Sequence, residues 1–393
     1  MLALRRALTC LTTATILAGC GGTTPAAPSS SSPGAPASNA SAGAASAGVP
    51  LTSKPPASVS SGLTASAPVP ASGAPASQQA VGVHVAVQGR PDQAALELAL
   101  DRGYFTKQGL DISTVQITDG ATMVPSLSTN QIQVGNGAPS VALFNALNRG
   151  VGIRVVADYA HVGPKGDTTL ALVVRKDLMD SGAVTSMVGL KGRTVALGAT
   201  PGTISDEIFQ RALEHDHVNA SDVKVQYLSF PNTLAALGNK SIDAGLLTEP
   251  LVTLAVEKGV AKVLYPAGEL IPGSYLSVLQ YSAQFAAKQP DTANRFMVAY
   301  LQGVRDYHDA FIAKKDRAAA ITLLAAHLSV KDPHIWEAAG PEYIDQNGKV
   351  NVADLKDQAA FFVQQGKMKG IPDFNKYVDS TFAAAAVQQL GMR

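Results

Sequence analysis

The chain has only two cysteines in 393 residues, Cys10 and Cys20. Both sit near the N-terminus, so no disulfide, catalytic thiolate or zinc–thiolate site is available to the rest of the sequence. An excess of one charge is also missing: 31 Lys and Arg balance 30 Asp and Glu, a formal net charge of +1. Without a basic stripe, the composition gives nucleic acid no electrostatic footprint. Beyond the first twenty residues, no apolar run is long enough to cross a bilayer; the alanine-rich stretch 383–387 is far too short. A Gly-x-Ser-x-Gly elbow, a Walker A loop and a His-Glu-x-x-His helix are all absent, so the common motif-borne hydrolase, NTPase and metalloprotease chemistries are not indicated.

What is present begins at the N-terminus. Arg5 and Arg6 precede an apolar stretch over 7–17, followed by Leu17-Ala18-Gly19-Cys20. That layout predicts a lipoprotein signal peptide over 1–20, with small residues beside the scissile bond and the Cys20 thiol taking the lipid. The alternative is an ordinary secretory signal in which the cysteine is incidental. Residues 21–80 are almost entirely Ala, Ser, Pro, Gly and Thr, and Lys54 is the only charged residue among them. Such a stretch buries too little apolar area to offset its ordering entropy. It reads as a disordered tether reaching roughly 45 Å as a flexible coil, and the folded part then runs from 81 to 393.

Strand and helix patterns alternate through that part. Apolar residues recur at every second position over 81–87, predicting a first strand, and helical spacing follows over 93–103. Further strands are predicted over 110–117, 132–134, 151–158, 170–174, 194–197, 223–228 and 244–247. Helices are predicted between them over 120–128, 139–149, 203–214 and 233–237. This rhythm predicts an α/β fold with parallel sheets covered by helices on both faces. Past about residue 284 the pattern is mostly helical. Phe296, Tyr300, Val304, Tyr307 and Phe311 fall near one helix face and read as core.

Four segments carry a family resemblance. They are Asp101-Arg-Gly-Tyr-Phe-Thr-Lys-Gln-Gly-Leu-Asp111, Ile132-Gln-Val-Gly-Asn-Gly-Ala-Pro-Ser140, Leu190-Lys-Gly-Arg-Thr-Val-Ala196, and Ala235-Ala-Leu-Gly-Asn-Lys-Ser-Ile-Asp-Ala244 followed by Thr248-Glu-Pro250. In this order they resemble motifs of the nitrate, sulfonate, taurine and thiamine-precursor binding proteins, the receptors of ABC importers. The resemblance implies the type II periplasmic-binding fold: two lobes, a cleft between them, and two crossover strands. Lobe one would comprise 81–168 and 276–393, lobe two 169–275, with crossovers at 168–174 and 275–281. It also implies a monomer without cofactor that passes a small ligand to an ABC permease. The ligand would be a sulfonate, a nitrate-like anion, a pyrimidine or an amine-bearing organic. Enzymes on the same fold, acting on a pyrimidine-like or small carboxylate substrate, form a competing reading, and a tethered sensor or adhesin a third.

In open α/β sheets, ligands sit beyond the carboxyl ends of strands, where helix N-termini point inward. Four turns fit that position. The first holds Gln88, Arg90 and Asp92, and the second spans 118–122. The third holds Asn136, Gly137, Ala138 and Ser140, and the fourth holds Thr200, Gly202, Thr203 and Ser205. Their glycines allow close backbone approach, and their N–H groups and hydroxyls suit an anionic or polar head. Helix capping competes with this reading, since Thr203-x-x-Asp206 is a capping box in its own right. Glu249, in Thr-Glu-Pro, stands where the family often places a ligand-contacting acid; the other reading is a solvated loop carboxylate. With Asp92, it argues against a simple inorganic anion and for a ligand carrying a donor group. His215 and His217 form a His-x-His pair that reads as an exposed helix end and not as a metal site.

Overall fold

The computed structural model describes residues 80–393 except 118, 119 and 199. The signal segment, Cys20 and the tether up to residue 79 lie outside the described residues. So do Thr118 and Asp119 of the second predicted turn and Ala199 of the fourth.

Ten strands form two five-stranded sheets. The first contains β1 (Val81–Val87), β2 (Leu110–Gln116), β3 (Val134–Gly137), β4 (Ile153–His161) and β10 (Tyr275–Ser282), in the order β2-β1-β3-β10-β4. The second contains β5 (Leu170–Arg175), β6 (Thr194–Leu197), β7 (Lys224–Tyr227), β8 (Ala244–Thr248) and β9 (Ala261–Pro266), in the order β7-β6-β8-β5-β9. β1 pairs in parallel with β2 over its full length, Val81 opposite Leu110 and Val87 opposite Gln116. In the second sheet, β6 is parallel to both β7 and β8.

The sheets are not wholly parallel, which corrects the expectation from strand–helix alternation. β10 runs antiparallel to both β3 and β4, and β5 antiparallel to both β8 and β9. The reason lies in the chain path. β10 enters the first sheet from the last strand of the second after only the one-turn helix Ala267–Leu270, and β5 enters the second directly from β4. Neither link has the long crossover helix that returns a chain to the same end of a sheet.

The core of the first lobe is built on the long helix Pro290–Phe311, which opens with proline at its first position. Phe296, Tyr300, Val304, Tyr307 and Phe311 are all buried there, as expected. Tyr300 stacks on Tyr159 of β4 with ring centroids 5.7 Å apart, and Phe296 packs against Phe105 at 4.8 Å. Gly303 lets this helix lie directly on the helix Ala94–Asp101: a Cβ there would stand 2.2 Å from the Ala95 carbonyl oxygen. Segments after β10 also reach the second lobe. The Thr169 hydroxyl donates to the Pro341 carbonyl at 3.1 Å, and Arg211 lies over the Phe361 ring.

Candidate ligand-binding site

A cavity of about 390 Å³ lies where the carboxyl ends of strands from both sheets face each other. β1 contributes Gln88 to Asp92, and β3 leads into Ala138 and Ser140. From the second lobe come Thr200, Thr203 and Ser205 after β6, Ser229 and Phe230 after β7, and Thr248 at the end of β8. Leu170 of β5 and Leu276 of β10, the two strands that carry the chain between lobes, also reach the wall.

Four α-helices begin at this wall, one of them Leu251–Glu257, whose first residue lines it. Ser140 caps the helix Val141–Asn148, its hydroxyl accepting from the Leu143 N–H at 3.3 Å. Thr203 caps the helix Ile204–His215 in a capping box with Asp206, whose carboxylate accepts from the Gly202 and Thr203 N–H groups. Ser229 precedes the helix Phe230–Gly238, which has Pro231 in its first turn. Capping and ligand binding therefore coexist here. The box satisfies some first-turn donors, whereas the N–H groups of Ile204 and Ser205 have no acceptor inside their helix. They carry the positive end of its dipole toward the cavity.

The charged part of the wall is at the first turn. Arg90 grips Asp92 with two hydrogen bonds, Nη2 to Oδ2 at 2.5 Å and Nε to Oδ1 at 3.3 Å. Burial opposes the Arg90 charge, but the adjacent Asp92 outweighs it and holds the guanidinium above its usual range. Gln93 fixes the loop by accepting from the Gln88 and Arg90 N–H groups.

Of the twelve candidate ligand residues read from the sequence, Gln88, Arg90, Asp92, Ala138, Ser140, Thr200, Thr203 and Ser205 line the cavity. Four do not. Asn136 and Gly137 belong to β3, whose ladder runs three residues beyond its predicted end. The Asn136 amide, buried within the sheet, donates to Asp92 at 3.4 Å and to Ser277 at 3.2 Å, so it positions Asp92 from behind. Gly202 forms the rim. Its carbonyl accepts from the Val141 N–H at 2.9 Å, closing one lobe onto the other. Its φ of 77° needs glycine, and a Cβ there would meet a Val141 methyl at 2.9 Å.

Glu249 is a correction to both sequence readings, since it is neither in the cavity wall nor solvated. Only 4% of it is exposed, and its carboxylate accepts from the Thr168 hydroxyl at 2.9 Å and the Thr253 N–H at 3.1 Å. Burial pushes this carboxyl above its ordinary range, while those donors favour the anion. It ties the segment before β5 to the helix Leu251–Glu257. His215, at an exposed helix end as expected, bonds Asp216 at 2.8 Å and packs edge-on against Tyr265.

Sequence reasoning missed Glu342, Ser329, Ser229 and Phe230, all of which line the cavity. The pair at 229–230 was findable, because Pro231 signals a helix start just beyond a strand. Glu342 had no local signal. It is buried, its N–H donates to the Tyr307 hydroxyl at 2.8 Å, and its Oε2 has no partner. Burial raises its carboxyl well above the usual range, with further repulsion from Asp92 and Asp167.

Two mixed α/β lobes, each with one antiparallel strand arriving from the other, and a cavity at the strand ends of both, define the type II periplasmic-binding fold. The chain belongs to the NMT1/THI5-like family, which matches residues 90–310. The expected fold class and family are thus both borne out. Among curated relatives, the chain is 25% identical over 320 residues to the taurine-binding periplasmic protein of Escherichia coli, spanning 77% of this chain and 93% of that one. Among solved structures, it is similar to the alkanesulfonate-binding protein of Xanthomonas axonopodis pv. citri bound to MOPS. That match has a TM-score of 0.61 and 19% identity and covers 77% of this chain and 99% of that one. The periplasmic nitrate-binding protein of Synechocystis aligns with a TM-score of 0.64 at 15% identity, covering 80% and 90%.

Proposed function

We infer that this chain is the extracytoplasmic solute-binding component of an ABC importer. It captures a small polar organic or anionic ligand between its lobes and delivers it to a permease. The observation that carries this reading is the cavity itself: about 390 Å³, walled by both lobes, with helix N-termini and serine and threonine hydroxyls converging on it. Family membership and the taurine-, sulfonate- and nitrate-binding relatives support it. A ligand touching both lobes binds the closed arrangement better and so shifts the population toward it. Among the described residues the wall holds no histidine, cysteine or lysine, the side chains that most often form or activate a nucleophile. This favours binding over catalysis.

Native mass spectrometry of the protein purified under mild conditions tests the reading. A non-covalent small molecule lost on unfolding is expected; none in any preparation, with thermal shifts absent across a panel of sulfonates, nitrate, amines and pyrimidines, would remove it. We further read residues 1–20 as a cleaved signal and Cys20 as a lipidated anchor to the cell membrane. Intact mass of detergent-extracted protein should show a chain starting at Cys20 with an acyl addition. A mature chain starting elsewhere, without lipid, contradicts the anchor and leaves the binding role untouched.

A further inference from the structure

Three of the residues lining the cavity are charged by type: Arg90, Asp92 and Glu342. They are not equivalent. Arg90 and Asp92 satisfy each other in a two-bond pair, and Asn136 steadies Asp92 from behind. Glu342 has no such partner. It is 4% exposed, its Oε2 is buried without a partner among the described residues, and its backbone N–H donates to the Tyr307 hydroxyl.

The surroundings of Glu342 are acidic. Asp92, Asp167 and Glu249 all repel charge on it, and Arg90 attracts it. Asp167 is occupied by the N–H groups of Gly163 and Thr169 and by the Thr169 hydroxyl. Glu249 is occupied by Thr168 and Thr253. One end of the cavity therefore presents a buried acid without a partner, among carboxylates already bonded elsewhere. The opposite lobe presents the Ile204–His215 helix N-terminus and the hydroxyls of Thr203 and Ser205.

We propose that Glu342 is the specificity-determining residue of this cavity, and that it selects a ligand with a cationic nitrogen, an ammonium or amidinium group, alongside its anionic or polar head. The proposal rests on the solute-binding reading above and deepens it. In the empty cavity, burial first and then Asp92, Asp167 and Glu249 push the Glu342 carboxyl well above its usual range, which favours the protonated form. A docking cation supplies the missing partner. The O–H bond of Glu342 breaks, its proton leaves to solvent, and the carboxylate pairs with the ligand nitrogen, which stays protonated. Binding of such a ligand thus releases up to one proton, and its affinity rises with pH until Glu342 ionises in the empty protein. A ligand of the same shape without the nitrogen leaves Glu342 neutral and gains nothing from this end.

The test uses the full chain and two ligand pairs, 2-aminoethanesulfonate against ethanesulfonate and 3-aminopropanoate against propanoate. Calorimetry is run in buffers of differing ionisation enthalpy. In wild type, at least one amine-bearing member is expected to bind about tenfold or more tightly than its counterpart, with a buffer-dependent heat reporting proton release. Glu342→Gln, which mimics the neutral acid, should erase that preference without weakening the amine-free member. Infrared spectra of the ligand-free proteins should show a protonated-carboxyl band in wild type that the variant lacks. Equal affinity within both pairs in wild type overturns the proposal, as does a preference that survives in Glu342→Gln. If the variant does not fold, wild-type discrimination and buffer-dependent heats still decide the matter. A bound molecule in the native mass spectrum that lacks a basic nitrogen sinks the role of Glu342 and leaves solute binding standing. No bound molecule and no heat from any probe sinks both.

Discussion

Replacing Glu249 with alanine is expected to destabilise the protein without touching the cavity wall. The Glu249 carboxylate accepts from Thr168 at 2.9 Å and from Thr253 at 3.1 Å, and the Gly340 N–H also points to it. These donors belong to three segments far apart in sequence: the link into β5, the start of the helix Leu251–Glu257, and the chain beyond the helix Pro333–Ala338. Alanine would strand donors in all three segments, the Thr253 hydroxyl among them. Each unsatisfied buried donor costs about 1–3 kcal/mol, and relief from burying the carboxyl returns part of it. A net loss of roughly 2–4 kcal/mol follows, about 3–6 °C in the thermal midpoint for a folded region of this size. Glu249→Gln retains an acceptor oxygen and should lose about half as much. Urea unfolding of the ligand-free proteins near neutral pH measures the loss, and titration with the native ligand measures any effect on binding. An unchanged urea midpoint combined with at least tenfold weaker binding would refute the reasoning and place the carboxylate on the ligand.

Arg90→Ala leaves the buried Asp92 charge without its guanidinium. It should cost about 2–3 kcal/mol, below the full penalty of a broken buried pair because Arg90 is partly exposed, and adding Asp92→Asn should recover most of it; additive losses in urea unfolding would refute the coupling. Gly202→Ala places a methyl against Val141 at a backbone angle that favours glycine. It should weaken ligand binding about tenfold and leave the ligand-saturated protein more extended in small-angle scattering, whereas an unchanged envelope and affinity would show that the rim does not close there. The ligand-free protein should be most stable in mild acid. Asp158, Asp167, Glu207, Glu249, Glu342 and Asp354 are held above their ordinary range chiefly by burial. His161 is also raised, its partner Asp158 outweighing burial. Each of these binds its proton more tightly folded than unfolded. Their contribution is therefore present below the unfolded values and is lost as pH rises through the folded ones. Urea midpoints should fall between about pH 5 and about pH 8, and a rising midpoint would contradict this sign.

Much of the fold was legible because periodicity reports local structure. β1, the helix Gly120–Ser128 and β6 fall on their predicted residues, since apolar spacing alone fixes them. Strand direction is another matter. The alternation of Tyr275–Ser282 reads the same whichever way the strand runs, so the antiparallel insertion of β10 had to come from topology. β3 was cut short at residue 134 because Gly135, Asn136 and Gly137 look like a turn, yet the sheet buries them on both faces. β9 went unread because its mixed sequence shows neither period clearly. In the site, the residues following β1 and β6 were recognisable from helix-start chemistry next to strands. Glu342 was not, because it comes from a loop whose place on the wall is set only by the packing of the C-terminal helices. Glu249 shows the converse: a strand-end acid that reads as a ligand contact, turned inward by donors from three separate segments.

The position of β10 also constrains the order in which the molecule can be assembled. The ladder of β4 is made with β10, which is synthesised after the entire second sheet, and its isolated bridges, Val155 to Val378 and His161 to Tyr343, involve still later residues. A chain emerging N-terminus first therefore holds β1 to β3 with an open edge, and β4 without a ladder partner, until residue 282 has arrived. The second sheet is contiguous from β5 to β9 and can close on its own residues as soon as they emerge. Vectorial release across a membrane would thus deliver a finished inserted lobe before its host lobe. A nascent chain stalled before residue 275 would leave apolar strand edges exposed to holdase chaperones and proteases until the late strand slides between β3 and β4.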